Sequence, residues 1–234
     1  MPDDIYPMRI NKYLAHKQYC TRREADELIA KRKVLINGQL AQLGDKVRET
    51  DEVQVNFRPR KYRYFAYHKP RGIITHSPQG DEESIEDISP IQGVFPIGRL
   101  DKDSYGLIIL TDDGRITDAL LNPERAHEKS YEVHTSDALP SGFKAKMERG
   151  VDIGGYVTKP CRVEVLGSRK FSITLTEGKK HQIRRMCGFF GASAIQLKRV
   201  RIMNIDLGTL QPNESRPIEG AELAAFLKSL GIRR

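Results

Sequence analysis

CRVEVLGSRKFSITLT, residues 161–176, is the stretch on which the fold turns. Val163 and Val165, then Phe171, Ile173 and Leu175, alternate with Arg162, Glu164, Ser172 and Thr174. A period of two is that of a strand with one face on a core and the other toward water. SYEVHT (130–135) repeats the pattern, and YFAYHKP (64–70) and GIITH (72–76) also read as strands. Helical spacing is sparser. GRITDALLN (114–122) puts Ile116, Ala119 and Leu120 on one face, and FKAKMERG (143–150) stops at Gly150. KKHQIRRMCGFFG (179–191) and ELAAFLKSLG (222–231) are the other helices. QGDEESIEDISPIQG (79–93) reads as an acidic loop or lid. Strands dominate and do not alternate one-for-one with helices. An α+β domain on a largely antiparallel mixed sheet is expected, not a doubly wound fold.

Upstream of Tyr64 the texture differs. RINKYLAHK (9–17) carries a short helical stripe of Ile10, Tyr13 and Leu14. Thr21 can cap a second helix, with Glu24 reaching back to the cap amide and Ala25, Leu28 and Ile29 as its buried face. Asn37-Gly38 in VLING marks a hairpin turn, and short strands follow around Val47 and at EVQVN (52–56). FRPRKYR (57–63) is charged with a central proline. The expected division is a small module at 1–58, a linker at 59–63 and a larger domain at 64–234.

Charge points to a polyanion. The chain of 234 residues carries a net +8, and residues 169–201 hold nine Lys/Arg against Glu177 alone, an excess equal to the whole. Residues 9–33 hold eight Lys/Arg, Arg9, Lys12, Arg22 and Arg23 among them, against three acids. Two basic segments far apart in sequence suit one long anion, RNA above all. No apolar run is long enough for a membrane span and the N-terminus lacks a secretory layout, so a cytoplasmic protein is expected. Cys20, Cys161 and Cys187 form no CxxC pair, and the six histidines show no metal spacing. With no phosphate-loop, dinucleotide or nucleophile-elbow motif either, the expectation is chemistry without metal or cofactor, or no chemistry.

GRLDKDSYGL (98–107) sets four charges between two apolar runs, VFPI and IILT. Gly98 and Gly106 permit sharp turns, so Asp101 is held on a tight connection at a sheet edge. A carboxylate there serves as a nucleophile or general base, or it bonds its own turn backbone. In HQIRRM (181–186), Ile183 and Met186 belong to a core stripe continued by Cys187 and Phe190, with His181 and Arg184 on the adjoining face. Arg184 either turns inward to a carboxylate or lies on a basic surface. Tyr131, with Lys129 two residues before it on one strand face, is a core tyrosine or a platform for a base.

Together these segments resemble the RsuA-type pseudouridine synthases. Residues 9–47 resemble an S4-like RNA-binding module. HKPRGIITH (68–76), FPIGRLDKDSYGLIILTDDG (95–114) and EGKKHQIRRMCGFFG (177–191) resemble the family's first sheet motif, catalytic motif and Arg-bearing helix, in order. HEKSYEV (127–133) and KRVRIMNIDLG (198–208) resemble the RluF-like members, which modify large-subunit ribosomal RNA; their long basic tail is not present after GIRR. The resemblance implies Asp101 as nucleophile on a uridine, Tyr131 stacked on the base and assisting proton removal from C5, and Arg184 paired with Asp101. It implies substrate contacts from Arg99, Lys129 and Ile183. RNA contacts would come from Arg9, Lys12, Arg22, Arg23, Lys179, Lys180 and Arg185. No cofactor or metal is implied, and a monomer acting on rRNA is expected. Small-subunit rRNA, a tRNA anticodon arm, and a non-catalytic RNA-binding assembly protein are the alternatives.

Overall fold

The computed structural model describes residues 6–56 and 61–232. Pro59 and Arg60 of the expected linker lie outside the described residues. The chain forms two compact units, one of the described residues up to Tyr62 with Asp113–Ile116 and residues 231–232, the other of Arg63–Asp112 and Thr117–Leu230.

After a short strand, Met8–Arg9, paired with Lys46–Val47, the first unit forms two helices, Ile10–His16 and Arg22–Ala30. The second begins at a full capping box: the Glu24 amide donates to Thr21 Oγ1 at 3.2 Å, and the Thr21 amide donates to Glu24 Oε2 at 2.8 Å. Asn37 and Gly38 both take left-handed backbone, φ 50° and 80°, which turns Val34–Ile36 back onto Gln39–Leu40. Val53–Val55 completes that small sheet. Ile10, Leu14, Ala25, Ile29, Val34 and Val47 are buried together, while Leu28 is only partly covered.

The second unit is built on a nine-stranded sheet among the described residues. Its main path runs Arg162–Gly167, Lys170–Leu175, Lys129–Thr135, Ala194–Ile202, Tyr105–Thr111, Tyr64–Lys69, Ser215–Pro217. Every pairing is antiparallel except Ala194–Ile202 with Tyr105–Thr111. The alternation in 161–176 holds for Val163, Phe171, Ile173 and Leu175, which enter the core while Glu164 stays exposed, but Val165 is 48% exposed, next to the register shift that ends its strand. The helices Phe143–Arg149 and Gln182–Phe189 cover that face, with the Phe143 and Phe171 rings 4.9 Å apart edge to face.

Three details depart from the sequence reading. GIITH is not a strand: only an isolated bridge from Ile74 to Ser84 forms, because Thr75 is spent on the neighbouring loop. Within the acidic loop, Ile85–Ile88 makes one helical turn, since Asp87 accepts from the Ser84 amide at 2.8 Å. His181 precedes its helix and is not part of it.

Candidate active site

Asp101 lies on the connection between Phe95–Ile97 and Tyr105–Thr111, two strands paired with Ile97 opposite Ile109. Four carbonyls along this connection, those of Arg99, Leu100, Lys102 and Ser104, are held from other segments. Lys69, fully buried, donates from Nζ to the carbonyls of Ser104 and Pro70 at 2.8 Å, with the Lys102 carbonyl at 3.5 Å. Thr75 Oγ1 donates to the Leu100 carbonyl at 2.8 Å and accepts from its amide at 3.0 Å. The Gly72 amide donates to the Lys102 carbonyl at 2.8 Å. From the far side Arg199, 3% exposed, donates from Nε to Leu107 at 2.7 Å and from Nη1 to Arg99 at 3.4 Å. Donors on both sides, with only Arg199 Nη2 among them buried and unpartnered, fix a short loop far better than its own turn chemistry would.

Gly106 makes this possible. Its φ is 104°, and a Cβ there would strike the Arg199 carbonyl and stand 2.8 Å from the Arg199 amide nitrogen. Only glycine lets these two backbones meet. The buried cations are costly. Burial pushes the Lys69 ammonium down to about 8, the Asp101 charge opposing this and Arg199 adding to it. Burial pushes Lys129 down to about 8 as well, with Arg199 again contributing.

The Asp101 side chain, 40% exposed, opens into a cleft of about 720 Å³. That volume falls within the range of ligand pockets, roughly 300–1,000 Å³. Arg99, Asp101, Tyr131, Ile183, Lys179 and Lys180 all line it. Tyr131 is presented by its strand opposite Ile173 and Arg199, and Ile183 by the first turn of its helix. The approach to that helix is tied down by Glu177, which is buried. Glu177 accepts from Tyr156 Oη at 2.6 Å, from the Lys159 amide at 3.0 Å and from Gln182 Nε2 at 2.8 Å. Gln182 in turn accepts from the Lys179 amide at 2.8 Å, and Lys179 Nζ sits 4.4 Å from the centre of the Tyr156 ring.

Two assignments are placed differently. Arg184 makes no ion pair with Asp101; its guanidinium donates to the Ala194 carbonyl at 2.6 Å and to Ser104 Oγ at 3.4 Å. The strand end at Ala194 captures it, so it reaches the Asp101 turn only through Ser104. Lys129 does not line the cleft; its ammonium turns back to the His127 carbonyl at 3.2 Å. Arg184 and Arg185 instead border an adjoining depression with Lys180 and His181. In the other unit, Arg9, Lys12, Arg22 and Arg23 are all exposed. Among the described residues no group of three His, Cys, Asp or Glu side chains is placed to hold a metal ion. No helix among them is long and apolar enough to cross a membrane.

The sequence model of the RNA pseudouridylate synthase family matches residues 63–188, and that of the S4 domain matches residues 8–64. The dual-specificity RNA pseudouridine synthase RluF of Escherichia coli (strain K12) is 40% identical over 97% of this chain and 80% of its own. The chain belongs to the RNA pseudouridine synthases, in their RsuA-type branch. A ribosomal large subunit pseudouridine synthase B from Bacillus subtilis is 32% identical to this synthase over 92% of its chain and 93% of the relative's. A solved pseudouridylate synthase superposes on the synthase with a TM-score of 0.68 at 26% identity, covering 95% of this chain and 99% of that one.

Sequence reasoning missed the groups that hold the synthase's loop. Lys69, Thr75, Arg199 and Glu177 look like ordinary strand or turn residues in one dimension. The available signal was a charged residue inside an apolar run, as Lys69 is after YFAYH and Arg199 within AIQLKRVRI. In the sequence His181 shows only its spacing from Arg184. It takes left-handed backbone, φ 54° and ψ 29°, and brings Nε2 to 4.0 Å from Asp101 Oδ1. Such a conformation costs a non-glycine residue about 1–3 kcal/mol and concentrates at functional sites.

Proposed function

We propose that this synthase isomerises a specific uridine of ribosomal RNA, large-subunit RNA by preference, with Asp101 as the nucleophile. The observation that carries the reading is the shared cleft: Asp101, Tyr131, Ile183 and Arg99 open onto one space large enough for an everted nucleoside. Asp101 attacks C1′ of the ribose and displaces the base at N1; the freed base turns, and C5 attacks C1′ and displaces the carboxylate, so Asp101 is regenerated while N1 gains a proton and C5 loses one. Tyr131 stacks on the base and assists removal of the C5 proton, and Ile183 packs against the ring. Arg99 helps expel the base from its helix, a step that costs a few kcal/mol. Exposed Lys179, Lys180 and Arg185 supply that energy through phosphate contacts. Arg184 steadies the Asp101 turn through Ser104. Lys129, turned back to the His127 carbonyl, stays off the substrate.

The domain limits that suit this division of labour are an RNA-holding module over 1–58, a linker over 59–63 and the catalytic domain over 64–234. Arg9, Lys12, Arg22 and Arg23 of the module grip an RNA stem by its backbone. The enzyme works as a monomer in the cytoplasm. The preference for large-subunit RNA is supported by the 32% identity to a synthase named for that subunit. The test is tritium release from RNA labelled at uridine C5, since bonding C5 to C1′ displaces that hydrogen. Release from large-subunit rRNA well above small-subunit rRNA and tRNA is expected. Equal or greater release from either of the others overturns the substrate assignment.

A further inference from the structure

We propose that His181 is a positioning residue for the nucleophile: its imidazole Nε2 steadies Oδ1 of Asp101 and leaves Oδ2 to face the target nucleotide. The inference rests on the reading of Asp101 as nucleophile and adds a residue to it.

Among the described residues, His181 is the one basic group within ion-pair distance of the Asp101 carboxylate, at 4.0 Å. Three cations near the turn are engaged elsewhere. Lys102 holds Glu82 at 2.9 Å, Lys69 holds the Ser104 and Pro70 carbonyls, and Arg184 holds the Ala194 carbonyl and Ser104. The side chain within reach of the carboxylate is therefore an imidazole and not the Arg184 guanidinium.

Both side chains open onto the same cleft, 46% exposed for His181 and 40% for Asp101. Neither is fixed by deep burial, so each can close on the other when RNA covers the cleft. Contacts of this kind are often long in a free enzyme and shorten in the complex. The form of His181 that acts carries its proton on Nε2 and donates it as a hydrogen bond.

The backbone points the same way. His181 holds a left-handed conformation that glycine adopts freely, in a turn braced by the Gln182–Glu177 and Gln182–Lys179 hydrogen bonds. A turn so braced fixes where the side chain leaves the backbone, and rotation of the side chain itself closes the remaining gap.

His181→Gly is the informative variant. It removes the imidazole and suits the left-handed turn, so the helix start is preserved. Single-turnover tritium release, RNA affinity and rescue by added imidazole are measured together. The rate should fall about tenfold to a hundredfold, as for a misplaced reacting group. RNA affinity should stay near wild type, and free imidazole should restore part of the rate through the open cleft. An undiminished rate, a loss confined to RNA affinity, or a loss that imidazole does not relieve overturns the proposal. Asp101→Asn run alongside separates the two ideas. If that variant still turns over, the nucleophile reading fails. If it is inactive while His181→Gly is normal, only the role of His181 fails.

Discussion

Gly106→Ala concentrates the logic of the site in one methyl group. The added Cβ would meet the Arg199 carbonyl and stand 2.8 Å from the Arg199 amide nitrogen, where the strand Tyr105–Thr111 pairs with Ala194–Ile202. Both obstacles are backbone, so no side chain can swing aside. Nonbonded heavy atoms rest at about 3.5–4.0 Å, so the strands must part by roughly 1 Å. Overpacking of this kind costs about 1–3 kcal/mol. The φ of 104° is foreign to alanine and adds about 1–3 kcal/mol. Gly72→Ala is the control: its φ is 88°, and a Cβ there meets nothing within 4 Å. It incurs the backbone cost alone. Urea unfolding of both variants should place Gly106→Ala about 1–3 kcal/mol below Gly72→Ala. Tritium release should fall further in Gly106→Ala, because Arg199 grips the Asp101 loop at Arg99 and Leu107. Equal stability in the two variants would refute the claim that strand contact at Arg199 demands glycine.

Other consequences can be checked in parallel. Lys69 and Lys129 have folded-state values near 8 against 10.5 for the ordinary side chain. Below that window both states bind the protons; within it only the unfolded chain does, so stability should rise from about pH 8 to 10.5. A wild-type curve that matches the Lys69→Met/Lys129→Met double variant across this range would contradict the burial argument. Glu177→Leu strands three donors, Gln182 Nε2, the Lys159 amide and Tyr156 Oη, at about 1–3 kcal/mol for each that stays buried. Thermal unfolding should register that loss, with weaker RNA binding as the loop at Lys179 loosens; unchanged values in both would exclude Glu177 as its anchor. Lys180→Ala and Arg185→Ala should each reduce the salt dependence of RNA binding by about 0.7–0.9 in log–log slope, one phosphate contact apiece. Filter binding across a salt series measures this, and an unaltered slope removes that residue from the interface.

Local rules with local causes were legible in the sequence. The Thr21–Glu24 capping box, the Asn37-Gly38 turn and the alternation in 161–176 each involve residues within a few positions of one another. The cleft was partly legible, because Asp101, Tyr131 and Ile183 sit where strand ends and a helix start converge. The loop's supports were not. Lys69 meets Ser104 across 35 positions and Arg199 meets Leu107 across 92, separations that carry no periodicity. The Arg184–Asp101 pair failed for a related reason: a guanidinium takes the nearest well-aimed oxygen, and the Ala194 carbonyl, ten residues on, is better placed. GIITH has the β-branched composition of a strand, yet Thr75 spends its hydroxyl on both polar groups of Leu100 and the segment stays a loop.

Asp101→Asn in single turnover, followed by tritium release from uridine-labelled ribosomal RNA, tests the central claim most directly. The amide keeps the shape of the carboxylate but cannot attack the sugar. No release above background, with RNA affinity intact, is the predicted result. Appreciable release from the folded variant would mean that another group breaks the N1–C1′ bond.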